Sequence, residues 1–212
     1  MTDKTKTAAM SAPLAERLRP RTIDEYIGQE HLVGKNGVFR KFFETGNVPS
    51  FILWGPPGVG KTTLAKIVAT QLERPFFTLS AVTSGVKDVR EVIESARKQR
   101  FFDQRPPFLF IDEIHRFNKS QQDSLLGAVE QGVVTLIGAT TENPSFEVIS
   151  PLLSRCQVYI LKSLENKDLQ VLLDRALTTD TELKERDIEV AETGALFKFC
   201  LLYTSDAADD LT

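Results

Sequence analysis

Gly55-Pro56-Pro57-Gly58-Val59-Gly60-Lys61-Thr62 fits the pattern G-x-x-x-x-G-K-[ST], the spacing of a loop that cradles phosphates. Backbone N–H groups and a following helix N-terminus can wrap a polyphosphate there. Glycine is required because a bulkier residue can neither follow the loop's path nor let its backbone approach the oxygens. Lys61 supplies a positive charge for the β- and γ-phosphates, and Thr62, followed by Thr63, an oxygen for Mg²⁺. Further on, Pro107-Phe108-Leu109-Phe110-Ile111 ends in the adjacent carboxylates Asp112 and Glu113. Downstream of such a loop this is the Walker B arrangement. Asp112 would hold the Mg²⁺ shell, and Glu113 would polarise an attacking water.

Chemistry at this spacing needs elements to hold it. Phe51-Ile52-Leu53-Trp54 reads as a buried strand, and Thr63 to Leu72 as a helix with Leu64, Ile67, Val68 and Leu72 on one face. His31 to Gly46 is expected to be one helix with Val38, Phe42 and Phe43 inward. Further expectations are a strand at 75–80, a helix at 88–99, a helix at 121–131, a strand at 133–137 and a strand at 157–161. The alternation predicts an α/β fold, a parallel sheet with helices on both faces. The polar turn Gly138-Ala139-Thr140-Thr141-Glu142-Asn143-Pro144 then falls beside the phosphates, since ligands of open α/β sheets sit at the carboxyl ends of the strands. Trp54 and the lone His31 read as structural. The basic run Arg97, Lys98, Arg100 and Arg105 reads as a solvated face, with contact to a phosphate backbone as the functional alternative.

Composition narrows the class without naming a partner. The chain has 212 residues, 42% hydrophobic and 26% charged, ordinary for a globular protein. No apolar run approaches the roughly 20 residues of a membrane helix, so no membrane partner is expected. Two cysteines, Cys156 and Cys200, give neither a disulfide framework nor metal-ligand spacing. The net charge of −3 is uneven. Residues 180–212 carry nine acidic and three basic side chains, leaving the rest mildly basic, which permits nucleic-acid contact without arguing for it.

Together the motifs resemble the AAA+ ATPases, a P-loop NTPase family, and within it the clamp-loader-like branch. Leu18-Arg19-Pro20 with Tyr26-Ile27-Gly28-Gln29 is similar to the segment that packs around adenine in clamp loaders and branch-migration motors, which implicates Arg19, Ile27 and Gly28. Leu153-Ser154-Arg155-Cys156 resembles the Ser-Arg-Cys motif, whose arginine enters a neighbouring subunit's nucleotide site as a finger. Asp112 to Lys119, Gln121-Gln122-Asp123 and Gly138 to Phe146 narrow the resemblance to replication- and recombination-associated members of that branch. It covers roughly Pro13 to Phe199. It implies ATP and Mg²⁺ as ligands, Thr141 as the residue sensing the γ-phosphate, with Asn143 a second candidate, and ATP hydrolysis stimulated by DNA. It also implies homo-oligomers, action at stalled forks or single-strand DNA, and partners such as single-strand-binding protein. A DExH helicase reading of Asp112 to His115, or a small-molecule kinase, leaves Arg155 and the segment before residue 30 unexplained.

The expected layout is a disordered leader over 1–12, the ATPase core over 13–162, and the start of a helical lid over 163–199, with Leu169, Leu172, Leu173 and Leu177 inward. Residues 200–212 depart from the pattern and are expected to be a non-native tail. Relatives also carry a later arginine, sensor 2, that this sequence lacks. The alternative function is therefore a nucleotide-binding fragment with little turnover, or a related clamp-loader or branch-migration ATPase. The polar start, without the apolar core of a signal peptide, predicts a cytoplasmic, nucleoid-associated protein.

Overall fold

The computed structural model describes residues 12–100, 105–186, 188, 190–195 and 197. The described residues fall into two units, one spanning Gln29–Ser163 and one made of residues up to Gly28 with those from Leu164 on. Pro13 to Gly28 thus groups with the later helices rather than with the sheet. The tail expected at 200–212 and most of the expected leader lie outside the described residues.

The first unit is built on five parallel strands, β1 (Phe51–Trp54), β2 (Phe76–Ser80), β3 (Phe108–Asp112), β4 (Thr135–Thr140) and β5 (Gln157–Ile160), in the order β2-β3-β4-β1-β5. β1, β3 and β4 are central. Phe51, Ile52, Leu53, Phe108, Leu109, Phe110, Ile111, Leu136, Ile137 and Ala139 are buried, the near-continuous apolar run expected of a parallel sheet covered on both faces. The helices in chain order are α1 (Leu14–Arg17), α2 (Glu30–Val33), α3 (Val38–Thr45), α4 (Lys61–Gln71), α5 (Val86–Arg100), α6 (Lys119–Glu130), α7 (Pro144–Glu147), α8 (Ser150–Leu153), α9 (Asn166–Thr179) and α10 (Thr181–Glu185). None among the described residues is long and apolar enough to cross a membrane.

Two elements differ from expectation in ways that matter. The single helix expected over 31–46 is two, α2 and α3, parted by Gly34-Lys35-Asn36-Gly37. Phe39 rather than Val38 or Phe43 is the fully buried residue of α3, and it packs with Phe42, Phe51 and Tyr159 at centroid distances of 5.3–5.6 Å. The strand expected at 133–137 runs two residues later, so that Gly138, Ala139 and Thr140 are ladder residues, not a turn. Burial between two strands overrides the weak β propensity of Gly138 and Ala139. Thr141 becomes the first residue past the strand.

In the second unit, α9 buries Ala176, whereas Leu172 is 36% exposed, so only part of the expected leucine face is covered. Arg17 donates to Asp180 through Nε (2.8 Å) and Nη2 (3.0 Å), and Asp180 also caps α10 by accepting from the Leu183 N–H at 3.1 Å. Arg175 donates to the Glu25 carbonyl at 2.8 Å.

Candidate functional site

The glycine-rich loop begins where β1 meets β5. The Leu161 N–H donates to the Trp54 carbonyl (2.7 Å) and the Gly55 N–H to the Thr140 carbonyl (3.2 Å). A Cβ on Gly55 would lie 2.4 Å from the Leu161 carbonyl oxygen, so only glycine fits there. Gly58 and Gly60 hold φ of +78° and +93°, turning the backbone into a concave path that ends at α4, with Gly60 as its N-cap. Pro57 and Gly58 are exposed, Pro56, Thr62 and Thr63 half-buried, and Val59 is buried.

Lys61 is only 7% exposed. Its ammonium donates to the carbonyls of Gly55 (2.7 Å) and Pro56 (2.8 Å). Burial lowers its pKa, against the attraction of Glu113 and Asp112. Asp112 ends β3. Burial first, then repulsion from Glu113, hold its carboxyl above the usual range, against the opposite pull of Lys61. Two adjacent carboxylates and one desolvated lysine are a donor set that gains from a bound cation, and the loop beside them is shaped for an anion. The residues present fit a magnesium–nucleotide complex.

Glu113 occupies the left-handed region at φ +53°, turning the chain out of β3 into a 3-10 turn, Ile114–Arg116. That turn buries Ile114 and brings His115 back over Glu113. Glu113 Oε2 lies 3.2 Å from His115 Nδ1 and accepts from the Thr141 hydroxyl at 3.4 Å. His115 Nδ1 is also 3.0 Å from Thr140 Oγ1. Thr140 in turn accepts from the Glu142 N–H (3.0 Å) and donates to the Glu142 carbonyl (3.1 Å). The ends of β3 and β4 are thereby tied side by side, with Thr141 beside Glu113. Asn143 is committed elsewhere, capping α7 by accepting from the Ser145 N–H at 3.0 Å.

Arg155 lies apart from this cluster. It stands two residues before β5, whose first residue registers with Phe51 at the start of β1. It therefore lies at the opposite end of the sheet from the loop, a strand length of about 13 Å away, beyond an arginine's reach. There it pairs with Glu130 at 2.5 Å and donates to the Pro151 carbonyl at 2.7 Å. The parallel topology also carries the end of α5 to the strands' starting edge. Arg97 pairs there with Glu94 at 3.2 Å. Arg19, Ile27 and Gly28 belong to the second unit. Arg19 donates to Glu16, Ile27 is half-buried, and Gly28 at φ +77° leaves no room for a Cβ against Leu164.

Sequence reasoning missed three polar residues that brace the site. Gln122 is buried. Its amide donates to the carbonyls of Phe117 and Glu147, both at 3.0 Å, and accepts from the Ile149 N–H at 2.9 Å, fixing the segment after Thr141. Gln29 exchanges two hydrogen bonds with the Lys162 backbone, at 2.6 and 2.8 Å. His115 is the third. A single polar residue in a periodic segment leaves no spacing signal, so only the packed structure exposes such roles.

This sheet order, with a phosphate loop after β1 and carboxylates after β3, defines a P-loop NTPase. Residues 51–164 match the family model described as the ATPase family associated with various cellular activities (AAA), and the chain belongs to that family. It is 52% identical over 169 residues to replication-associated recombination protein A of Escherichia coli K12, covering 80% of this chain and 38% of that protein. It is 50% identical over 181 residues to ATPase WRNIP1 of Dictyostelium discoideum, covering 85% and 20%. Among solved structures, the RuvB Holliday junction branch migration motor of Thermotoga maritima superposes with a TM-score of 0.64 at 35% identity, over 81% of this chain and 56% of that one. The chain spans well under half the length of the curated relatives it matches.

Proposed function

We propose that this chain is the ATP-hydrolysing core of a AAA+ protein that works on DNA during replication, recombination and repair. The observation that carries the catalytic part is the convergence of Gly55–Thr62, Asp112, Glu113 and Thr141 at one end of the sheet, with Thr141 on the same carboxylate that would polarise water. In this reading the loop N–H groups and Lys61 hold the β- and γ-phosphates of ATP. Thr62 and Asp112 hold Mg²⁺, which when bound offsets charge on the phosphate oxygens. Glu113 orients the water and draws off its proton as the new P–O bond forms and ADP leaves. Thr141 senses the γ-phosphate. Thr63 extends the helix's first turn, and Arg19, Ile27 and Gly28 are proposed to line the base.

The topology of Arg155 supports a finger acting on a second copy, because it cannot reach its own loop. Action on DNA, at stalled forks or single strands, and partners such as single-strand-binding protein are supported by the names of the relatives. A nucleoid-associated, cytoplasmic setting goes with that reading. The test is ATP turnover by this chain, titrated with single-stranded DNA, beside its Glu113→Gln variant. Expected are DNA-stimulated turnover in the parent, a loss of about 100-fold or more in the variant, and nucleotide affinity unchanged in both. Binding without turnover in the parent would overturn the catalytic assignment for this chain.

A further inference from the structure

We propose that His115 is a positioning residue for Glu113, fixing one carboxylate oxygen so that the other meets the attacking water. This rests on the ATPase reading above. The chemistry of the atoms around Nδ1 carries it. Nδ1 lies 3.2 Å from Glu113 Oε2 and 3.0 Å from Thr140 Oγ1. An ionised carboxylate only accepts. The Thr140 hydroxyl has one proton, and that proton is given to the Glu142 carbonyl while Oγ1 accepts from the Glu142 N–H. The proton between the ring and Thr140 Oγ1 therefore comes from Nδ1. His115 is the Nδ1–H tautomer, donating to Thr140 Oγ1 with the N–H edge 3.2 Å from the Glu113 carboxylate, and with its lone pair on Nε2.

The consequence falls on Glu113. Its Oε2 accepts from the Thr141 hydroxyl at 3.4 Å and lies 3.2 Å from His115 Nδ1, a close electrostatic contact from a different element. Its Oε1 makes no hydrogen bond among the described residues. One hydroxyl donor and one polar ring edge against the same oxygen restrict rotation of the carboxylate and hold Oε1 in one direction. The left-handed turn at Glu113 makes this possible, since it is what brings residue 115 back over residue 113. An oriented base is worth rate because misplacing a reacting group by about 1 Å can cost on the order of 100-fold.

The experiment has two independent readouts. The chain holds only two histidines, His31 and His115, so imidazole nitrogen shifts from histidine-labelled protein give two ring systems, assigned with His31→Gln. His31 serves as an internal reference, because its Nε2 lies 2.9 Å from the Ile160 carbonyl and must carry the proton. Neutral His115 is expected as the Nδ1–H tautomer and His31 as the Nε2–H tautomer. A predominant Nε2–H form at His115 would overturn the proposal, whether or not the chain turns over ATP.

The second readout is the division between kcat and KM. His115→Phe keeps the ring and removes the donor, and is expected to lower kcat at least about 10-fold with KM for ATP within about 2-fold. His115→Asn places an amide N–H near the Nδ1 position and is expected to recover most of that loss. Unchanged kcat in the Phe variant, or an Asn variant no better than Phe, sinks the assignment. If the parent shows no turnover at all, it is the ATPase reading that fails, and the tautomer alone decides the geometry proposed for His115.

Discussion

Asp112 and Lys61 are strained electrostatically in opposite directions, and each makes a measurable claim. The carboxyl of Asp112 has its pKa raised by burial and by Glu113, so it stabilises the fold only below its ordinary value of 3.8. That stability is lost as pH rises through the raised folded value, leaving a destabilising ionised carboxylate at neutral pH. Asp112→Asn is therefore expected to melt above the parent at pH 7 without nucleotide. The advantage should narrow as pH falls and vanish below 3.8, while magnesium-dependent nucleotide affinity is lost. A calorimetric melt at pH 7 that is unchanged or lower would contradict the charge argument. Lys61 is buried against the carbonyls of Gly55 and Pro56, so Lys61→Ala removes both the phosphate charge and the loop's internal brace. Equilibrium titration should show nucleotide affinity reduced at least about 100-fold, since a charged hydrogen bond to phosphate is worth about 1.5–3 kcal/mol and the loop loosens as well. A parent-like affinity would remove Lys61 from the site. The types and spacing of these two residues were legible in the sequence. Their mutual electrostatics were not, because desolvation depends on what packs around them.

At the level of elements, the site depends on the segment between β4 and β5 keeping its path. Gln122, projecting from α6, satisfies two carbonyls and one N–H along that path from a buried position. Gln122→Ala strands those groups without solvent and should cost about 2–3 kcal/mol in urea-induced unfolding. A cost under about 0.5 kcal/mol would mean the segment is held by something else. α6 itself starts from a capping box in which Asn118 and Gln121 bond reciprocally, at 3.0 and 2.9 Å. That helix and most strands were readable from periodicity, though the helix starts at Lys119, two residues before the expected Gln121. The position of β4 was not. Gly138, Ala139 and Thr140 look like a turn, yet they register with Ile52, Leu53 and Trp54 in the middle of the sheet. Backbone pairing between two neighbours outweighed local preference, and the shift decided which threonine touches Glu113.

For the whole molecule, the placement of Arg155 makes the assembly state a kinetic variable. It is 41% exposed, paired with Glu130, and a strand length from the loop of its own chain. Turnover per chain is expected to rise with protein concentration in the parent. Arg155→Ala should flatten that rise, lowering kcat by at least about 10³-fold in the assembled state. Mixing Arg155→Ala with Glu113→Gln should restore part of the activity, since some interfaces then pair an intact finger with an intact base. Equal loss in a verified monomer would end the trans reading. The sequence by itself determined the phosphate loop, the Asp112-Glu113 pair and the alternation that makes a parallel sheet. Each of these is written in contiguous residues, and contiguous chain has few conformations to choose from. Only the tertiary structure decided that Thr141 and His115 meet on one oxygen of Glu113, that Gln122 braces the segment beyond them, and that Arg155 faces away. Those relations join residues far apart in sequence or turned by a single backbone angle: the pairing of β3 with β4 sets the first, the bonds from α6 the second and the register of β5 on β1 the third.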